Sequence, residues 1–307
     1  MSEGVIVAVD VGGSAMKCGL VDDAGTIRHT ERHPTGAQRG PDAVVDTILT
    51  IAAGLAETAV AQGLQARAVG IVVPGVVDER NGIAVWSTNV GFRDVPLRDL
   101  VTKGLGLPAA LGHDVRAGGA AECRWGAGQG YDHVLFMAIG TGIAGAHVVA
   151  GKAYAGAHGA AGEIGHMIVR PGGTPCDCGA RGCLEAVASA AAIGRTYSER
   201  SGIVATAADV ATRAAAGEPT AVEVWAEAVD ALADGLHTAV TLNDPELIVI
   251  GGGLAEAGDT LLSPLHTALD TKLTFQRRPA LIRAALGYEA GFLGAGLLGL
   301  SLVEGDR

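Results

Sequence analysis

Cys176, Cys178 and Cys183 place three of the chain's five cysteines within eight residues, and His166 lies ten positions upstream. Three thiolates and one imidazole complete a tetrahedral shell for zinc, and a shell with no open position marks a structural site. Gly179 and Gly182 allow the tight turns needed to aim three sulfurs at one point. A disulfide would leave one of the three thiols unpaired, and nothing else in the sequence points to an oxidising compartment. The metal reading is therefore favoured over paired or simply buried cysteines. Glu163 and Glu185 flank the cluster, each within three residues of a proposed ligand. A knot that rigidifies this loop also fixes those carboxylates, as a polyol-binding site requires.

A second kind of chemistry is available at three glycine turns. Val5–Val9 reads as a buried strand, Asp10 to Ser14 as a tight turn, and Ala15–Val21 as a returning strand. Gly12 and Gly13 then sit at a hairpin tip, where backbone N–H groups can meet an anion. The spacing is not that of a Walker loop, and no helix follows. The pattern returns at Val134 to Gly142, aligned without gaps at an offset of 129 and continuing with Val148-Val149 on Gly19-Leu20. Such a repeat implies two similar halves whose glycine tips face each other across a cleft. Leu247–Ile250 runs into Gly251, Gly252 and Gly253, which open a further predicted helix, an arrangement that cradles nucleotides.

The elements that must carry these turns are read from periodicity. Pro41–Gln62 has helical spacing, Ala68–Val73 is an all-apolar strand, and residues 81–111 form a looser region with a short helix at Leu97–Gly104. Ala186–Tyr197, Ala205–Ala216 and Pro219–Leu242 follow as helices. Continuous apolar strands alternating with helices predict an α/β fold. A length of 307 residues suffices for two domains with separate cores, and 49% apolar content excludes a disordered chain. The net charge of −11 argues against a nucleic-acid or anionic-membrane surface. The first apolar run is too short for a signal peptide, and Ala290–Leu302 is too short and glycine-broken to span a bilayer. A soluble, cytoplasmic protein is expected.

In order, these pieces resemble the ROK family of bacterial sugar kinases and related repressors, within the actin–hexokinase–Hsp70 superfamily. The likeness is carried by Asp10-x-Gly-Gly-Ser-x-x-Lys17, Gly140-Thr141-Gly142, Gly162-Glu163-Ile164-Gly165-His166, the Cys176 to Glu185 stretch and Gly251-Gly252-Gly253. It implies a two-domain actin-like ATPase (ribonuclease H-like) fold with an active-site cleft between domains. Residues 1–113 would form a smaller N-terminal domain, joined by a C-terminal helix at 290–307, and 114–289 a larger domain carrying the zinc. It implies ATP and Mg²⁺ beside structural Zn²⁺, and a homodimer or homotetramer. Gly12, Gly13, Ser14, Lys17, Gly140, Thr141 and Gly142 would line two phosphate loops, with Asp10 helping to position magnesium and residues 251–253 bordering the adenosine. Asn89, His113, Glu163, His166 and Glu185 would hold the sugar, His166 binding zinc through its other nitrogen. Asp114 would be the catalytic base.

The chain departs from the family at one point. Where the family usually has Glu-Asn-Asp-Ala-Asn, this sequence reads Gly112-His113-Asp114-Val115-Arg116. The usual asparagine contacts a sugar hydroxyl; His113 is bulkier and is expected to titrate near neutrality. The departure bears on sugar identity more than on the reaction, since Asp114 remains. An ATP-dependent hexose 6-kinase acting on glucose is the leading expectation. Mannose, fructose, N-acetylmannosamine and N-acetylglucosamine are alternative acceptors, and polyphosphate an alternative donor. A sugar-sensing repressor is disfavoured, because only nine residues precede Asp10, and a regulator without catalysis is disfavoured by Asp10 and Asp114.

Overall fold

The computed structural model describes residues 3–304. The chain divides into two compact units, one of residues up to Trp125, Ala153–Ala161 and Glu289 onward, the other of Gly126–Lys152 and Gly162–Tyr288.

In the first unit, β1 (Gly4–Val11), β2 (Ala15–Asp22) and β3 (Ile27–Pro34) lead through α1 (Pro41–Ala61) to β4 (Gln65–Val73). After β5 (Val76–Asp78), β6 (Ile83–Ser87), β7 (Phe92–Val95) and α2 (Leu97–Leu105) come β8 (Ala109–His113) and α3 (Asp114–Trp125). The main sheet has the order β3-β2-β1-β4-β8, with β1 antiparallel to β2 and parallel to β4. Val5–Val9 and Ala68–Val73 are buried along nearly their whole length, as strands covered on both faces must be. By length and composition α1 could cross a membrane, but seven of its residues are buried in the core of this unit. The last helix, α9 (Ala290–Glu304), packs on β1, β4 and α3. Glycines on both sides permit that approach: a Cβ on Gly294 of α9 would lie 2.4 Å from the Ala117 backbone, and one on Gly70 of β4 1.7 Å from Ala295 O. The rest of the expected 290–307 helix, residues 305–307, lies outside the described residues.

In the second unit, β9 (His133–Ile139), β10 (Ile143–Val149) and β11 (Lys152–Ala153) precede α4 (Leu184–Ala188), α5 (Ala190–Ser201), α6 (Ala207–Ala215) and α7 (Pro219–Asn243). Then come β12 (Leu247–Gly251), α8 (Asp259–Lys272) and β13 (Ala280–Arg283). The sheet order β11-β10-β9-β12-β13 repeats that of the first unit, antiparallel hairpin first and parallel strands after. Twelve buried residues of α7 fill the core beside it.

The structure differs from the sequence reading at five places. Helix α3 belongs to the first unit, so the division follows Trp125 rather than residue 113. The region 81–111 holds β6 and β7, which with the preceding β5 form a three-stranded sheet, β5-β6-β7. The helix expected over Ala186–Tyr197 is two helices, because Ser189 adopts an extended ψ of 156° and caps α5 by accepting the Ala192 N–H at 3.1 Å. The glycine run opens a 3-10 turn, Gly253–Ala257, and α8 begins only at Asp259. Lastly, the internal repeat is not gapless. Ala8 pairs with Gly19, whereas Met137, 129 residues on, pairs with Gly145, only 126 beyond Gly19. Counted from these equivalent pairs, the second hairpin closes three residues sooner, so Val148-Val149 is not the equivalent of Gly19-Leu20.

Candidate active site

The ligand atoms of His166, Cys176, Cys178 and Cys183 all lie within 4.8 Å of one another. Cys176 Sγ is 3.7 Å from His166 Nδ1, and Cys178 Sγ is 3.6 Å from Cys183 Sγ. A tetrahedron with metal–sulfur bonds of about 2.3 Å has edges of about 3.8 Å, so the donors stand where one ion can hold all four. No two of these sulfurs are bonded; all five cysteines are free thiols. Burial, with its thiol neighbours, pushes the Cys183 thiol up to about 12. A divalent cation inverts that preference, because coordination deprotonates the thiol. The knuckle folds by its own backbone bonds: Cys176 N–H donates to Ala180 O at 2.9 Å and Gly182 N–H to Thr174 O at 2.8 Å.

Glu163 and His166 bracket a 3-10 turn, Ile164–His166. While Nδ1 of His166 faces the sulfurs, its Nε2 lies 3.8 Å from Glu163 Oε2. Both side chains are more than a third exposed. The turn rests on β10, where a Cβ on Gly165 would be 2.2 Å from Ile143 O. Glu185, two residues past Cys183, is already engaged: its Oε2 accepts the Ile143 N–H at 2.8 Å. Gly140, Thr141 and Gly142 form the turn between β9 and β10.

In the first unit, the turn between β1 and β2 carries Gly12, Gly13 and Ser14. Gly12 N–H donates to Ala15 O at 3.0 Å, and Thr35 N–H to Ser14 O at 3.0 Å. The fully buried Thr35 also donates its hydroxyl to Gly12 O at 2.6 Å. Asn89 is exposed beside this turn; a Cβ on Gly13 would be 3.1 Å from its Cβ. Asp10 stands at the end of β1, and burial pushes its carboxyl up to about 6, against the opposing pull of Lys17. Lys17 forms an ion pair with Glu289. Thr35 and Glu289 escaped the sequence reading, because neither lies near the glycine motif in the chain.

Asp114 opens α3 directly after β8, half-buried, and its Oδ1 accepts the Val115 N–H at 2.7 Å. His113 is buried, and burial, reinforced by the nearby Arg116 charge, pulls its imidazole down to about 3. The expectation that His113 titrates near neutrality is corrected: it is a neutral ring. Arg116 N–H donates to His113 Nδ1 at 3.3 Å, which assigns the ring proton to Nε2. The same Nδ1 lies 3.3 Å from Asp114 Oδ1. Arg116 is itself 2% exposed. Its Nε donates to Glu79 Oε1 at 2.9 Å and its Nη1 to Gly159 O at 3.0 Å. Glu79 Oε1 also accepts the His113 N–H at 3.3 Å. The Glu79–Arg116 pair was missed; its only sequence signal is an arginine in a run of small residues, Ala117 to Ala121.

Gly253, the last of the three glycines, borders a mainly apolar cavity of about 590 Å³ in the second unit, lined also by Ala190, Thr206, Ala211, Leu254 and Glu256 among others. Gly252 has a φ of 77°, and a Cβ there would be 2.4 Å from Ile139 O. The exposed Tyr288 sets its hydroxyl 3.5 Å from where a Gly253 Cβ would stand.

A profile described as the ROK family matches residues 6–301 of the chain. The chain belongs to the ROK family. This ROK protein is 35% identical to a glucokinase of Thermotoga maritima, over 94% of this chain and 95% of that one. Its fold superposes on a ROK hexokinase of Thermus thermophilus with a TM-score of 0.86 at 32% identity, covering 98% of this chain and all of the other. A ROK glucokinase of Streptomyces griseus, solved in complex with glucose and AMPPNP, gives a TM-score of 0.82 at 32% identity over 97% of this chain and 100% of its own. The ROK protein therefore has the two-unit actin-like ATPase fold expected of the sequence, and ROK sugar kinases are its structural neighbours.

Proposed function

We propose that this ROK protein is an ATP-dependent hexose kinase that transfers the γ-phosphoryl group to the 6-hydroxyl of glucose. The observation that carries the reading is its near full-length likeness to a glucokinase captured with glucose and an ATP analogue. Phosphoryl transfer asks a protein chiefly to position two substrates in line and to neutralise charge. Asp114 accepts the proton of the attacking hydroxyl, from the start of a helix that leaves its carboxylate half-exposed. His113 presents Nε2–H to a sugar oxygen, with Asn89, Glu163, His166 and Glu185 holding the other hydroxyls. Asp10, Gly12, Gly13, Ser14, Lys17, Gly140, Thr141 and Gly142 take the nucleotide phosphates, and the cavity at Gly251–Gly253 takes the adenosine. Asp10 would help to hold Mg²⁺, which offsets phosphate charge when bound. His166, Cys176, Cys178 and Cys183 would hold Zn²⁺, which braces the sugar-binding residues. A cytoplasmic homodimer or homotetramer belongs to the same reading.

A coupled ADP-release assay across glucose, mannose, fructose and N-acetylated hexosamines tests the assignment. Glucose is expected to give the largest kcat/KM. A higher value for N-acetylmannosamine would move the acceptor, and inactivity with every sugar, with ATP or polyphosphate, would refute the kinase. Asp114→Asn should retain sugar binding and lose about 10²- to 10⁴-fold in kcat; turnover near wild type would remove the base from Asp114.

A further inference from the structure

The turn at Gly140–Gly142 is held from both sides by the segment that leaves the metal knuckle. On one side Glu185 Oε2 accepts the Ile143 N–H at 2.8 Å. On the other, Ala190 N–H donates to Gly140 O at 2.8 Å, a bond made possible by the break between α4 and α5 at Ser189. Within the turn, Gly140 N–H donates to Gly142 O at 2.9 Å. A Cβ on Gly142 would lie 2.5 Å from Glu185 Oε2, so the carboxylate packs directly on the turn.

The other end of this segment is a candidate metal ligand. Cys183 is fully buried and immediately precedes α4. The next residue, Leu184, is buried too and donates its N–H to Met167 O at 2.9 Å, one residue past His166. Helix α4 is five residues long, leaving no slack between Cys183 and Ser189. A shift of Cys183 on metal loss would be passed to Glu185 and Ala190, and through them to both ends of the turn.

We infer that Glu185 is a positioning residue that couples metal occupancy of the knuckle to the geometry of the Gly140–Gly142 turn, and so to nucleotide affinity. The inference rests on the kinase reading for the identity of the ligand, an adenine nucleotide with magnesium. It adds to the sugar contact a separate task for one carboxylate oxygen. A backbone N–H held by a carboxylate is a charge-assisted bond, stronger than its neutral equivalent. The glutamine variant keeps a carbonyl oxygen at the same reach.

Calorimetric titration of MgADP into the zinc-loaded protein, with sugar absent, separates this task from sugar binding. Glu185→Ala should weaken MgADP about ten-fold, whereas Glu185→Gln, which keeps the acceptor oxygen and loses the charge, should weaken it by only about three-fold. Unchanged MgADP affinity in Glu185→Ala would overturn the inference. Amide exchange in the unsubstituted protein gives a second reading. Exchange at Ile143 should quicken at least about ten-fold once zinc is stripped and magnesium restored, while exchange at Val7 in the first unit stays constant. Exchange at Ile143 indifferent to zinc would also overturn it, including where Glu185→Ala does not fold. A wild-type protein that binds no MgADP would defeat the kinase reading instead, with the Ile143 measurement still deciding the coupling.

Discussion

The β1–β2 and β9–β10 turns occupy the same place in two sheets of the same strand order, yet the means that hold them differ in charge. Around the first, a neutral hydroxyl does the holding, with Thr35 bonded to Gly12 O at 2.6 Å. Charge lies beside that turn, in Asp10 and in the Lys17–Glu289 pair. The second turn has three residues between paired strands where the first has four. There the holder is itself the carboxylate, Glu185. Topology settles where a glycine tip falls; whether its neighbourhood suits a cation or an uncharged phosphate cradle depends on side chains brought from far along the chain. In the first unit the Asp10 carboxylate is left unspent, and in the second one oxygen of the Glu185 carboxylate is taken by the backbone.

The largest test of that contrast is Asp10→Asn. An unspent carboxylate should matter greatly to turnover and should cost stability. Replacing it is expected to lower kcat about a hundred-fold or more. The stability sign follows from the raised pKa. With a folded value of about 6 against an ordinary 3.8, the native state retains a proton that the unfolded chain has lost between those pH values. Native stability therefore falls as pH rises through this window, by up to about 3 kcal/mol once Asp10 is ionised. In magnesium-free buffer, urea midpoints should show Asp10→Asn more stable than wild type at pH 8 and equal to it below about pH 4. A variant less stable at pH 8 would mean that ionised Asp10 is already satisfied within the protein, and the contrast with Glu185 would vanish.

A smaller effect is expected at the neutral holder. Thr35→Val keeps the shape and removes the hydroxyl, leaving a carbonyl short of one partner. A loss of about 1–2 kcal/mol in stability should accompany a rise of a few-fold in nucleotide KM, with kcat nearly intact. Should stability drop while KM stays fixed, Thr35 would be a core residue with no bearing on the turn.

How far these residues were visible in the sequence depends on whether the chain itself brings them together. The knuckle was legible because its four donors fall within 18 residues, between His166 and Cys183, and ligand chemistry restricts their types. The central strands were legible because burial on both faces writes an unbroken apolar run. The split at Ser189 was not, since a serine among alanines carries the same helical pattern until its hydroxyl caps a new start. Glu185 was found but half understood: spacing showed its nearness to Cys183, and only the fold shows its bond to Ile143, 42 residues away. Glu79 and Arg116, 37 residues apart, left only an arginine beside small residues to mark them, because nothing in local sequence names the partner of a buried guanidinium.

That pair leads to the subtlest expectation, an absence of effect at His113. The unfolded chain protonates this imidazole near its ordinary 6.5, but the native ring stays neutral down to about 3, so this residue adds stability that is complete above 6.5 and lost as pH falls toward 3. Within the working range it has no charge to change. The dependence of sugar KM on pH should therefore be flat from about 6.5 to 8 and show no inflection that His113→Asn removes. Any inflection near 6 should survive that substitution and respond to magnesium instead, as a property of Asp10. An inflection at 6.5 that disappears in His113→Asn would place a protonatable ring at the sugar. The burial of His113 beside Arg116 would then have to open in the working enzyme, and the neutral Nε2–H donor assigned to the acceptor would give way to a cation.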